Sequence, residues 1–313
     1  MKEEEYNINN KRKLKEFIES LKKNPEKLNS LYAHFISDFI EIKYLLDSIM
    51  DVYLNKDEKN EILYTLKQLV FQFYVQYNTI NLIGNLKTNI LDNRLYLDDN
   101  SIGAVLRILF ELQLKIKFIF SDLKTNYNRT KFRYYVWKYC DQKSSEKDLI
   151  FYDNDQKDIN KIEKLYQKIK RLKEYKKISN SEIKSIEKAN WSNFHQGFLY
   201  PNSKLNRSIF NSFWYEYFST IIHSNYSKLP NVRKYYHERP RIDNMRIYFG
   251  IASFLGKEVI SLLSNLNINA IKEADIDYRL NLEEKIEIWK RDSNNIDTFE
   301  KSLVKNHTAN NND

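Results

Sequence analysis

Glycine and proline are scarce in this chain, five and four among 313 residues, against average usages of roughly 7% and 5%. A meander of strands needs a turn signal every few residues, and these are too few to supply one. Long helices joined by short polar links remain, so the chain reads as all-α. The single cysteine, Cys140, excludes an intramolecular disulfide and a thiolate zinc cluster and suits a reducing cytoplasm. No apolar run approaches the roughly 18 uninterrupted residues of a membrane span, and the start, Met-Lys-Glu-Glu-Glu-Tyr, has no apolar signal core. The sequence therefore leads us to expect a soluble, cytoplasmic protein with no membrane contact. Metal and cofactor motifs are missing too: there is no His-Glu-x-x-His, no glycine-bearing calcium loop near Asp153 or Asp275, and no Gly-x-Ser-x-Gly. Gly250 and Gly256-Lys257 imitate a phosphate loop, but Glu258 stands where Ser or Thr belongs and the surroundings are helical. Neither a metal nor a cofactor is expected.

What the chain has in quantity is apolar residues at helical spacing. Leu14, Phe17, Ile18 and Leu21 form a short stripe that ends at Asn24-Pro25, where proline suits a new helix start. Leu28, Leu31, Phe35, Phe39, Ile42, Leu45, Leu46, Ile49 and Val52 mark a long amphipathic helix. After the polar break Asn55-Lys-Asp-Glu58, Ile62, Leu66, Leu69, Phe73, Tyr77, Ile80, Ile83 and Ile90 mark a second. Two such helices with a short link should pack antiparallel. Asp98 to Ser101 offers caps for a helix through Arg107, and Phe132 to Tyr139 reads as an aromatic-rich helix. The stretch from Gln142 to Asp155 reads as a polar loop and Ile159 to Lys177 as a lysine-dense helix. Ser179 with Glu182 fits a capping box. A helix around His223 follows Pro201, Arg233 to Arg241 reads as a loop, and Met245 to Leu266 as a further apolar helix. With no repeat and no long linker, residues 1–306 are expected to form one helical domain and 307–313 a disordered tail.

Two elements carry chemistry. Arg107 and Glu111 lie one turn apart in a run from Ala104 to Leu112 whose other residues are all apolar. A buried charge without a partner is expensive, so the pair is expected either to meet a partner in the core or to form a strip of surface with Lys115. The second element carries an apolar face of Phe210, Phe213, Trp214, Tyr217, Phe218 and Ile221 opposite a polar one of Ser212, Glu216, Ser219 and His223. That polar stripe is either a solvated face or a histidine poised for proton transfer. If Arg107, Glu111 and His223 converge, each supplies a group the others lack.

The pattern Arg107-x-x-x-Glu111, an aromatic helix from Tyr134 to Tyr139, and Tyr215-x-x-x-Ser219-x-x-x-His223 resembles a bacterial helical-bundle family of unknown function, over roughly residues 60 to 225. That family in turn is similar to the HEPN superfamily of helical bundles, often dimeric, found as toxin ribonucleases and in antiviral defence. The resemblance implies an HEPN-like bundle with Arg107, Glu111, Ser219 and His223 as its polar centre, and these four are the candidate catalytic residues. HEPN ribonucleases carry Arg, four to six residues, then His. None of His34, His195, His223, His237 and His307 has an arginine at that distance upstream, and Arg233-x-x-x-His237 is one residue short. Arg107 would have to bring the cation from another helix.

Fifty-one Lys and Arg against 42 Asp and Glu give a net charge of +9, which favours polyanions. Arg233, Lys234, Tyr235, Tyr236, His237, Arg239 and Arg241 combine cations for phosphates with rings for stacking, and Lys157 to Lys177 adds a second basic tract. RNA is the expected partner, with a homodimer or a protein partner beside it. The function expected is that of an RNA-directed defence or toxin-type protein, a metal-independent endoribonuclease or else a non-enzymatic helical module that binds RNA or protein.

Overall fold

The computed structural model describes residues 25–85, 88–89, 95–96, 99–149, 156–189 and 239–291. Apart from a two-residue ladder, these segments are built from helices. Helix α1 spans Pro25–Leu54, with proline at its first position as expected. Its stripe Phe39, Ile42, Leu45, Leu46, Ile49, Met50 and Tyr53 is buried. The buried Lys67 ammonium donates to the carbonyls of Leu54 at 2.9 Å and Lys56 at 2.6 Å. It thereby takes up acceptors that the end of α1 leaves unsatisfied and places a positive charge at the negative end of the helix dipole. Helix α2, Glu61–Asn85, starts where Asn60 Oδ1 accepts from the Ile62 amide at 2.9 Å, an N-cap. It ends at Gly84-Asn85, short of the Ile90 expected, because these residues favour helix termination. A short antiparallel ladder follows, Thr88 opposite Tyr96 and Asn89 opposite Leu95.

Helix α3, Asp99–Phe120, begins at one of the anticipated caps, so Ser101 lies inside it. The segment 121–126 leads to α4, Tyr127–Leu149. Arg133 ties the two together: Nη1 donates to Phe118 O at 3.0 Å and Ser121 Oγ at 3.1 Å, and pairs with Asp122 at 2.8 Å. The expected loop from Gln142 is helical as far as Leu149. That stretch holds no Gly or Pro, and its Gln, Lys and Glu residues sustain a helix despite their polarity. The lysine-dense helix is shorter than expected. Helix α5 is Gln156–Lys170, and Lys173–Lys177 forms a separate 3₁₀ turn, where Glu174 is buried and pairs with Lys177 at 2.9 Å. Ser179 and Glu182 make the expected capping box at the start of α6, Asn180–Glu187.

Helix α7, Arg239–Asn265, starts earlier than the sequence suggested, so Arg239 and Arg241 are in its first turn and not in a loop. Pro240 is compatible with that position because a first-turn N–H has no helical acceptor to lose. Helix α8 is Asn269–Asp277, and residues 282–291 form α9. Asn267, Arg279 and Asn281 have positive φ at the turns between them.

Helix α1 lies against α7 and α8, α7 also packs on α3, α3 on α2, and α4 carries α5. The two glycines that imitate a phosphate loop explain the α1–α7 crossing. A Cβ on Gly250 would sit 2.7–2.9 Å from the Phe35 ring, and one on Gly256 would sit 2.3 Å from Ile42 Cγ2. Phe39 stacks on Tyr77 at 4.6 Å and meets Phe249 at 4.4 Å, while Lys257 bonds Asp38 at 2.5 Å and Lys117 bonds Glu258 at 2.8 Å around the rim. The segment Arg246–Asn265 is long and apolar enough to cross a membrane, but 56% of its most apolar window is buried within the bundle.

Candidate functional site

Helix α3 turns Leu106, Leu109, Phe110 and Leu112 into the core, leaving Arg107, Ile108, Glu111 and Lys115 along a narrower, partly open edge. Arg107 Nε donates to Glu111 Oε1 at 2.9 Å, and the side chains are 16% and 41% exposed. The guanidinium is thus largely covered, and its carboxylate opens towards solvent. This lies between the two alternatives that the sequence left open. The geometry gives a cation held at a fixed orientation by an acceptor one turn along its own helix. Ser219 and His223 lie outside the described residues, as do Arg233, Lys234, Tyr235, Tyr236 and His237. Arg239 and Arg241 are placed on the α7 backbone alone. Among the described residues His34, exposed on α1, is the one imidazole.

A second constellation forms where α5 lies on α4. The face of α4 that carries Tyr134, Tyr135, Val136, Tyr139 and Cys140 is buried. Helix α5 brings Ile162, Tyr166 and Ile169 to the same core, and Tyr139 stacks on Tyr166 at 5.1 Å. Lysines then lie over the faces of these rings. Lys168 Nζ lies 4.0 Å from the Tyr135 centroid and Lys170 Nζ 4.2 Å from that of Tyr166. Lys143 and Lys138 stand farther off, 5.6 Å from Tyr139 and 5.8 Å from Tyr134. Ring faces attract the ammonium groups and limit their wandering without cancelling their charge. Lys138 also reaches Glu61 of α2 at 2.5 Å, and that hydrogen bond holds the Glu61 carboxyl below its ordinary range against the opposing effect of burial.

The rings themselves are not acids at neutral pH. Burial raises the phenols of Tyr134 and Tyr139, and it raises Tyr166 further, with help from Tyr175 and from Glu187, whose carboxylate accepts at 3.0 Å. Burial likewise pushes the Cys140 thiol up to about 12, which removes it as a nucleophile. The surface around the lysines stays basic. Lys161, Lys164, Lys168, Lys170, Arg171 and Lys173 are exposed, with the exposed Glu163 between them in sequence and the exposed Glu187 beside Tyr166, while Glu174 is buried. Asp275, Glu283, Glu284 and Glu287 line an acidic groove. Among the described residues no group of His, Cys, Asp and Glu could hold a metal ion.

The lysine–tyrosine face was half visible in the sequence. The aromatic helix and the lysine tract were each evident. Their superposition was not, because it depends on how α5 folds back across α4. Searches of family models, of curated proteins and of solved structures find no match to the chain.

Proposed function

We propose that the chain is an RNA-directed protein of bacterial antiviral-defence or toxin type, built as an HEPN-like bundle in which α1 and α2 run antiparallel. The observation that supports the RNA reading is the α4–α5 face, where lysine ammonium groups are held over tyrosine rings within a basic, solvent-facing surface. Phosphates are bound by such charges with release of counterions. Ammonium groups already localised on rings lose less freedom on binding than free lysines do. The antiparallel arrangement is supported by the Tyr77 hydroxyl, which donates to Phe39 O at 3.1 Å; the two residues lie at comparable distances from the 55–60 link.

In this reading Arg107 supplies a phosphate or transition-state cation, Glu111 orients it, and His223, with Ser219 beside it, moves the proton. Arg233 to Arg241 adds further phosphate and base contacts. A second reading, a non-enzymatic module that binds RNA or protein, is favoured by one observation: the Arg107 Nε–H is already taken up by Glu111 within the same helix. Induced expression in bacteria separates the two. Growth arrest with RNA cleavage that disappears in folded His223→Ala and Arg107→Met variants supports the enzyme. Variants that behave as the parent does leave the binding module.

A further inference from the structure

Glu61, the first residue of α2, reaches into the lysine–tyrosine face from a neighbouring helix. Its Oε1 accepts from Lys138 Nζ at 2.5 Å, and the two side chains are 52% and 32% exposed. Other groups act on the same carboxylate. The Lys138 hydrogen bond lowers the Glu61 carboxyl most, a hydrogen bond from the Tyr134 hydroxyl and the charge of Lys168 lower it further, and burial opposes all three. The Thr65 hydroxyl donates to Glu61 O at 2.9 Å and lies 3.5 Å from the Tyr134 hydroxyl, which leaves the Tyr134 proton for the carboxylate. Lys168 comes from α5 over the face of Tyr135, whose ring lies 5.2 Å from that of Tyr134.

Two ammonium groups and a phenol gathered around one carboxylate make a site for an oxyanion. From this we infer that the junction of Glu61, Tyr134, Lys138 and Lys168 is a phosphate site for the RNA backbone, in which the Glu61 carboxylate stands in for the phosphate until RNA displaces it. The inference rests on the RNA reading of the α4–α5 face. Its ligand is a phosphate and not a base, because Tyr134 and Tyr135 are 2% and 6% exposed and leave no open ring for a base to stack on. Exchange is easy, since an ion pair as exposed as Glu61–Lys138 holds weakly. The exposed Lys161, Lys164, Lys168 and Arg171 fall within about 80° of one another on α5 and span about 15 Å. A strand held along them presents its next phosphate to the site at high local concentration. A single phosphate has no such help, so Glu61 selects for polyanions and sets the affinity of the face from within the chain.

The test compares the full chain with Glu61→Gln, which keeps an acceptor for Lys138 and removes the charge, by anisotropy of a labelled single-stranded RNA at several salt concentrations. Glu61→Gln should bind about two- to fivefold more tightly at low salt, the worth of an exposed ion pair, with an unchanged circular dichroism spectrum. Its log–log salt slope should steepen by up to about 0.7, because in the parent the displaced carboxylate takes up a cation and offsets one that the RNA releases. Glu163→Gln changes the net charge equally from the exposed surface of α5 and should gain less. The gain from Glu61→Gln should vanish in a Lys138→Met background, which a merely structural role for Glu61 does not predict. If neither the parent nor Glu61→Gln binds RNA, the RNA reading fails and the phosphate site falls with it. If both bind with the same affinity and slope, the RNA reading stands and the phosphate site is overturned. An equal gain in Glu163→Gln, or a gain that survives Lys138→Met, overturns it as well.

Discussion

Replacing Gly256 with alanine probes the closest approach in the fold. The new Cβ would lie 2.3 Å from Ile42 Cγ2 and 3.3 Å from Tyr77 Cε2, whereas carbon atoms rest about 3.5–4.0 Å apart. Neither neighbour can swing aside, since both are fully buried, at 0% exposure. In a solvated helix interior the same change would gain about 0.8–1.0 kcal/mol. Here overpacking costs roughly 1–3 kcal/mol, and an overlap of this size against a branched side chain belongs at the upper end. The expected net loss is about 1–2 kcal/mol, read as a lower urea midpoint at unchanged slope. Ile42→Ala alone should cost about 2–5 kcal/mol by leaving a cavity. In the double variant the alanine methyl partly refills that space, so the combined loss should fall short of the sum by about 0.5–3 kcal/mol. Gly250→Ala is a milder case, because the clashing Phe35 ring is only half-buried and can move. A neutral or stabilising Gly256→Ala, additive with Ile42→Ala, would refute the packing argument.

Other perturbations have equally definite outcomes. Glu111→Ala should cost about 0–1 kcal/mol, because its carboxylate is 41% exposed and Arg preceding Glu is the weaker order for a helical pair; a loss above about 3 kcal/mol in chemical denaturation would mean that the pair is buried. Lys67→Met removes two charged hydrogen bonds to carbonyls at the α1–α2 corner and should cost about 1.5–3 kcal/mol, whereas an unchanged urea midpoint would mean those carbonyls are served by water. Cys140, with its thiol pushed up to about 12 by burial, should resist a thiol reagent at mildly alkaline pH in the native chain and react completely once the chain is unfolded. Rapid native labelling would contradict that burial.

The helices were legible wherever periodicity and capping agreed. Pro25 at the start of α1 and the Ser179–Glu182 box at the start of α6 are local signals, sufficient without tertiary context. The boundaries that shifted depend on other physics. Gln142 to Leu149 remains helical because nothing in it breaks a helix, even though it is polar. The lysine helix breaks after Lys170, where a buried Glu174 is accommodated in a 3₁₀ turn. The glycines of α7 were visible as residues, but their purpose is a close approach to Phe35 and Ile42, distant in sequence. In the candidate site the Arg107–Glu111 pair was readable from its one-turn spacing. How far it is buried was not, because that depends on which neighbouring elements cover the edge of α3.

RNA binding across the α4–α5 face is tested most directly by titrating a fluorescently labelled single-stranded RNA with the full chain and following its anisotropy at several salt concentrations. Affinity should fall with salt, with a log–log slope of about −0.7 per phosphate neutralised. Reversing two of the ring-held charges, Lys168→Glu with Lys170→Glu, should weaken binding at least tenfold, about 1.4 kcal/mol or more, and flatten the slope while the circular dichroism spectrum stays the same. No binding at low salt, or a charge-reversed variant that binds RNA as the parent does, would contradict it.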